Sequence, residues 1–311
     1  MQDGTFLRIC DYIFVLRPLI LIPAWSLYLI GAGEAIRRSS QSAALFPSPR
    51  VFICLTAILI TAYLLNQIFD RESDERNRKC FYLSQGIFGV RTLLVLSLGF
   101  YLVASFTFRR LDEPHRIPLI AALILSLTYS LPPFRLCARP FLDLLANAVG
   151  FGGIAFILGY GLFFNDLMES AQLSLPYVLL VAATFLHTTV LDVEGDRETG
   201  KISTSVRIGI GPSKLVALVL HGFAVAAAIS WSTTLAIVIT ATTLPFTAYA
   251  LKSTDRRMSS VQAQAATLIV TLGAVLLWPV YIAILLPLVI LSRYYHQRRF
   301  GIIYPGLRKN S

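Results

Sequence analysis

The 311-residue chain is short of charge: Asp, Glu, Lys and Arg make up 14% of it, where a soluble domain carries about 25%. Together with 56% hydrophobic residues and a mean hydropathy of +0.68, that scarcity excludes an ordinary soluble enzyme. Cysteine is scarce as well. Cys10, Cys54, Cys80 and Cys137 show no CxxC spacing, which argues against thiol metal sites and a disulfide framework and leaves free, buried thiols. The four histidines are scattered, and His187, five residues before Asp192, reads as a hydrogen-bonded structural side chain. No low-complexity segment or flexible linker divides the chain, so a single domain over residues 1–311 is expected. Acid is scarcer than base: 17 Asp and Glu stand against 27 Lys and Arg, a formal net charge of +10. Eight of those 17 acids fall within residues 70–75 and 192–198.

What is present is long apolar runs. A membrane-spanning helix needs about 20 apolar residues, and such spans are expected at 12–33, 51–69, 90–108, 117–132, 143–164, 176–191, 214–231, 233–251 and 262–291. The first follows a mixed-charge start and contains Arg17-Pro18, so it reads as a retained span and not as a cleavable signal peptide. Nine spans leave only short loops, which predicts an all-α integral membrane bundle. With the N-terminal side cytoplasmic, 16 Lys and Arg lie inside and 11 outside, five of the 11 in the C-terminal tail. That basic tail sits poorly with an odd number of spans, and Pro279 and Pro287 interrupt the last one. Ala148, Gly152, Ala155 and Gly159 form a stripe of small residues suited to close helix packing in lipid.

The two acidic segments echo each other. Asp70-Arg-Glu-Ser-Asp74 and Asp192-Val-Glu-Gly-Asp196 share the pattern D-x-E-x-D, each directly after an apolar span and four spans apart. Both therefore emerge on one membrane face, as expected of a pseudo-symmetric bundle around a central cavity. Asn66, Asp70 and Asp74 recur every four residues, as do Thr188, Asp192 and Asp196, so each set lines one helix face. Carboxylates gathered this closely repel unless a cation intervenes, and Mg²⁺ suits an all-oxygen donor set completed by water and phosphate. Arg71, Arg76, Arg78 and Lys79 follow the first segment, and Arg197, Lys201 and Arg207 the second. Acids ringed by cations make a diphosphate site, the alternative being a salt-bridged loop at each helix end. Tyr129-Ser130-Leu-Pro132-Pro133-Phe-Arg135 closes the fourth span on the same face. It reads equally as a helix stop with a snorkelling Arg135 or as a phosphate contact.

These residues resemble the UbiA superfamily of intramembrane prenyltransferases. N-x-x-x-D-x-x-x-D matches Asn66, Asp70 and Asp74, and D-x-x-x-D matches Asp192 and Asp196. The following G-K-x-S/T-x-x-V-x-x-G region is similar to Gly200-Lys201-Ile-Ser203-Thr-Ser-Val206-Arg-Ile-Gly209. Y-S-x-x-P-x-R resembles Tyr129, Ser130, Pro133 and Arg135 with one spacing residue varied. The resemblance implies an all-helical bundle, usually of nine spans, that transfers an isoprenyl group from an isoprenyl diphosphate to a lipophilic or aromatic acceptor. It implies that Asp70, Asp74, Asp192 and Asp196 are catalytic and, with Asn66, hold Mg²⁺. It also implies diphosphate contacts from Asn66, Lys79, Tyr129, Arg135, Arg197 and Lys201. The partners it implies are that donor, its acceptor and membrane lipid, with no nucleic acid, in a multi-pass inner-membrane protein whose site loops are cytoplasmic. Asn66-Gln67 stands where many members have Asn-Asp, and Lys79-Cys-Phe-Tyr-Leu-Ser84-Gln-Gly86 replaces their R-P-I/L-x-x-G. The D-R-E-x-D-x-x-N shape is nearest the chlorophyll-synthase and archaeal ether-lipid branches, while the missing Arg-Pro argues against either. An aromatic acid, a quinone precursor, a tetrapyrrole and a polyol lipid stay open as acceptors.

A different class of protein would use the same acids as coupling-ion ligands in a secondary transporter. That reading expects charges near mid-span, whereas these lie at span ends. A CDP-alcohol phosphotransferase would carry one longer Asp-rich motif in place of two separated ones.

Overall fold

The computed structural model describes residues 2–39, 45–77, 79, 81–231, 233–253, 255–302 and 304, so the expectations for Arg78 and Cys80 lie outside the described residues. The described residues are helical and contain no strand, as lipid demands of a backbone that must satisfy its own hydrogen bonds. Nine helices among them are long and apolar enough to cross a membrane: Pro18–Arg38, Pro49–Phe69, Val90–Phe108, Leu142–Tyr160, Leu167–Val190, Ile210–Ser230, Thr234–Lys252, Arg257–Leu277 and Pro279–Phe300. Glu113–Ser130 adds a helix of 18 residues whose first turn is polar, carrying Glu113, His115 and Arg116. The chain is an all-α, multi-pass integral membrane protein.

Several expected boundaries move, and the sixth span, expected at 176–191, begins already at Leu167. The first span does not begin at 12: Arg17 takes a left-handed conformation and Pro18 opens a new helix, separating Gln2–Phe14 from Pro18–Arg38. The fourth begins at Glu113 and stops at Ser130, ahead of a cis Pro132–Pro133 bond. The single span expected at 262–291 is two helices, broken where Trp278 leaves helical backbone (φ −133°, ψ 80°) before Pro279. The last described helix therefore ends at the same end of the bundle as the first acidic segment and not on the far side. Phe300, at the end of Pro279–Phe300, packs against Tyr82 in the loop after the first acidic segment, ring centroids 5.9 Å apart. Nearby, Arg299 forks onto Asp11 of Gln2–Phe14 at 3.0 and 3.1 Å, and Tyr295 donates to the same carboxylate.

The small-residue stripe serves packing, as its spacing suggests. The Leu142–Tyr160 helix is π-helical from Ala148 to Ile154 and is wedged between two neighbours. A Cβ at Gly152 would sit 2.6 Å from the Val178 Cα, and one at Gly159 would sit 1.9 Å from the Tyr28 carbonyl oxygen. Gly31 makes the reciprocal approach to the Phe156 carbonyl oxygen, at 2.2 Å. Glycine here sets the interhelical distance, because any side chain would have to displace backbone. His187 is a structural histidine: it is fully buried, and its Nδ1 meets the Ser259 hydroxyl at 3.2 Å. Cys10, Cys54 and Cys137 are free and buried.

Gly159→Val should destabilise the bundle by more than about 3 kcal/mol, since it drives one helix backbone off another. Gly222→Ala, whose added methyl meets nothing within 4 Å, should be neutral or mildly stabilising. Thermal unfolding of the detergent-solubilised variants checks both.

Candidate functional site

Each acidic segment is built the same way. A long helix, Pro49–Phe69 or Leu167–Val190, runs to the membrane surface and breaks at an aspartate. Asp70 (φ −102°, ψ 15°) and Asp192 (φ −100°, ψ −6°) hold that break, and a six-residue helix follows, Arg71–Arg76 or Val193–Glu198. The second aspartate donates its N–H to the carbonyl of the first: Asp74 to Asp70 at 2.8 Å and Asp196 to Asp192 at 2.9 Å. A lysine nine residues after the first aspartate then donates its N–H to the carbonyl of the second, Lys79 to Asp74 at 2.7 Å and Lys201 to Asp196 at 2.9 Å. Gly200, at φ +72°, makes the left-handed turn that brings Lys201 back.

The two lysines cross over. Lys79 pairs with Asp192 of the opposite segment. The Lys201 ammonium lies 2.7 Å from Asp70 Oδ2 and 3.9 Å from Asp196 Oδ1, so it bridges both. Asp70 is 4% exposed and also accepts from Asn66 Nδ2 at 2.9 Å, Arg135 Nη2 at 2.9 Å and, weakly, the Cys137 thiol at 3.8 Å. Asp196 is 3% exposed and accepts from the Ser73 hydroxyl and, at 3.3 Å, from Asn77 Nδ2. Gly195 lets the two short helices close up: a Cβ there would meet Asn77 Oδ1 at 2.4 Å.

Burial alone would lower the Lys201 ammonium, but the Asp70 and Asp196 carboxylates outweigh it and hold the group above the ordinary lysine range. Burial raises Asp196 in spite of Lys201 and Ser73. Burial and the Asp70 charge push the Cys137 thiol up to about 12.

Asn66, Asp70, Asp74, Asp192, Asp196, Lys79, Lys201 and Tyr129 all line one polar cavity of about 130 Å³ at this end of the bundle. Arg135 reaches Asp70 from a left-handed backbone at the helix stop, and Tyr129 accepts from Asn147 Nδ2 at 2.8 Å. Arg197 does not join them; it is exposed on the outer face of its short helix. Arg71, Arg76 and Arg207 are exposed as well. Six lining residues were not among the expected site residues, Cys137 and Phe185 being two of them. Arg17 is presented by the break between the first two helices. Asp143 accepts the Thr204 and Leu144 N–H groups at 2.8 Å each, tying the loop that bears Lys201 to the Leu142–Tyr160 helix. Thr189 meets Ser205 at 2.6 Å, and Ser203 also faces the cavity. The legible clue was the lysine at the same offset after each motif.

The donor set fits a hard divalent cation, being all oxygen and mostly carboxylate. Among the described residues no three carboxylate, imidazole or thiol groups are gathered tightly enough to enclose one as they stand. The lysines pair with Asp70, Asp192 and Asp196 instead, so a metal drawing on those three carboxylates has to displace Lys201 or Lys79.

The fold and the twin motifs define an all-helical membrane protein with two acidic segments meeting at one face. The family model for the UbiA prenyltransferase family matches residues 21–266, and the chain belongs to that family. Among solved structures, it is similar to an Archaeoglobus fulgidus UbiA homolog bound to GPP and Mg²⁺, with a TM-score of 0.64 and 18% identity over 86% of this chain and 99% of that one. A digeranylgeranylglyceryl phosphate synthase gives 0.61 at 18% identity, covering 86% and 99%. An apo UbiA homolog from Aeropyrum pernix K1 gives 0.59 at 16%, covering 85% and 98%. At these identities the likeness is one of fold. No curated protein sequence matches the chain significantly.

Lys201→Met should leave Asp70 and Asp196 undercompensated and cost about 3 kcal/mol or more. Added Mg²⁺ should then raise the melting temperature of the variant more than that of the unmodified protein, because no ammonium has to be displaced. An equal Mg²⁺ shift in both would refute the competition.

Proposed function

We propose that this protein is a Mg²⁺-dependent prenyltransferase. It would take an isoprenyl diphosphate at the cavity described above and pass the isoprenyl group to a lipophilic or aromatic acceptor within the membrane. The observation that carries this reading is the crossed pairing of two similarly built acidic segments at one end of an apolar bundle. Such a site concentrates oxygen donors and mobile cations together, next to an interior that excludes water. The family and the GPP- and Mg²⁺-bound homolog support it.

Asn66, Asp70, Asp74, Asp192 and Asp196 would hold the metal, directly or through water. When bound, Mg²⁺ stabilises charge on the departing diphosphate. Lys201 and Arg135, released from Asp70, and Lys79, released from Asp192, can turn to phosphate oxygens, where charge-assisted hydrogen bonds are strong. Tyr129 and Arg17 border the same space. Asp143 keeps the Lys201 loop in register through Thr204. The apolar interior shields the reacting carbon from water, so the acceptor rather than solvent captures it.

We place the site on the cytoplasmic side of a cell inner membrane. With Pro279–Phe300 returning to the site, the described Lys and Arg at the far end reduce to Arg37, Arg38, Arg50, Arg109, Arg110 and Arg116. The remaining eighteen lie at the site end, a strong positive-inside bias. The single domain is proposed to run through both acidic segments and the C-terminal helix together.

Purified protein supplied with Mg²⁺, isoprenyl diphosphates of several lengths and a panel of aromatic and lipid acceptors should release diphosphate and form a prenylated product visible by mass spectrometry. EDTA should abolish turnover, and Asp70→Ala or Asp192→Ala should lower it by about 100-fold or more. Full turnover in the double variant, or proteoliposome uptake without covalent product, would overturn the reading in favour of transport.

A further inference from the structure

One helical turn from Asn66, aromatic rings from two different helices meet. Tyr63 precedes Asn66 by three residues on the same helix face, about 4.5 Å deeper in the membrane. Phe151 projects from the π-helical turn of Leu142–Tyr160, a local geometry that recurs at functional sites. Their centroids are 6.3 Å apart with the planes tilted by 50°. Both are half-buried, unlike Phe156, Tyr160 and Tyr177 deeper in the bundle, which are 2% exposed or less. The Tyr63 hydroxyl is directed away, donating to the Ile20 carbonyl at 3.4 Å, so the ring presents its face. A cation already rests there: the Arg17 guanidinium carbon lies 5.7 Å from the Tyr63 centroid. Arg17 also borders the cavity, so an arriving polyanion competes for it and uncovers that face.

We infer that Tyr63 and Phe151 flank the allylic carbon of the bound donor and stabilise positive charge on it through their ring faces. The inference rests on the prenyltransferase reading and adds two catalytic residues that neither acidic segment contains. In the step they assist, the C1–O bond breaks and its electron pair leaves on the diphosphate oxygen. The positive charge is shared between C1 and C3, which lie against the rings instead of water. Return of any diphosphate oxygen to C1 restores the donor, so the step can be followed without knowing the acceptor.

Geranyl diphosphate carrying ¹⁸O in the C1–O bridge is incubated with the purified protein and Mg²⁺, and scrambling of label into non-bridging positions is read by ³¹P NMR. Tyr63→Leu and Phe151→Leu should each slow scrambling about 10-fold at saturating donor, with donor affinity changed less than about threefold. Tyr63→Phe, which keeps the ring and loses the hydroxyl, should recover most of the rate. Unchanged scrambling in the leucine variants, or equal loss of binding and scrambling in the leucine and phenylalanine variants alike, overturns this inference alone. An unmodified protein that neither binds nor scrambles any isoprenyl diphosphate overturns the parent reading and this one with it.

Discussion

The crossed lysine–carboxylate pairs are the interaction on which the rest depends. Four aspartates brought to one end of a membrane bundle would repel one another, and burial raises the cost of each charge. Lys79 and Lys201 resolve this by reaching across, so neither acidic segment is electrostatically complete without the other. The pairs thus clamp two helices that are 122 positions apart in sequence, by the same offsets in both. They also leave the carboxylates held by long side chains rather than by backbone, as the proposed binding of a diphosphate and its metal would need.

The clamp needs a rigid frame, and in lipid that frame comes from close packing more than from hydrophobic burial. Gly152 and Gly159 let Leu142–Tyr160 lie backbone-to-backbone against Leu167–Val190 and Pro18–Arg38. Asp143, at the start of that same helix, anchors Thr204 and with it the Lys201 loop. One helix therefore sets the depth of a segment it does not carry, and its π-helical turn, which holds Gly152, lies between the anchoring end and the close approach at Gly159.

Much of this was readable in the residues. Composition required the membrane, and four-residue spacing put Asn66, Asp70 and Asp74 on one helix face and Asp192 and Asp196 on another. Arg197 shows where such reading stops: it adjoins Asp196 in sequence but is about 100° away around the helix, and so faces solvent. Asp143 and Arg17 have no local pattern; one is defined by a partner 61 positions away and the other by a left-handed break. The last span was misjudged because apolar residues continue across Trp278-Pro279, where hydropathy is blind and backbone geometry is not.

The helix beyond that break has a topological consequence. The family match ends at residue 266, within Arg257–Leu277, so Pro279–Phe300 lies past it. Through Arg299, Tyr295 and Phe300 this helix is fastened to Asp11 and Tyr82, that is, to the first described helix and to the loop leaving the first acidic segment. The bundle is thereby closed into a ring whose two ends are sewn together beside the cavity. A displacement of the last helix would pull on the loop that follows the first acidic segment, which makes the seam, rather than the interior, the place where an outside force would be felt.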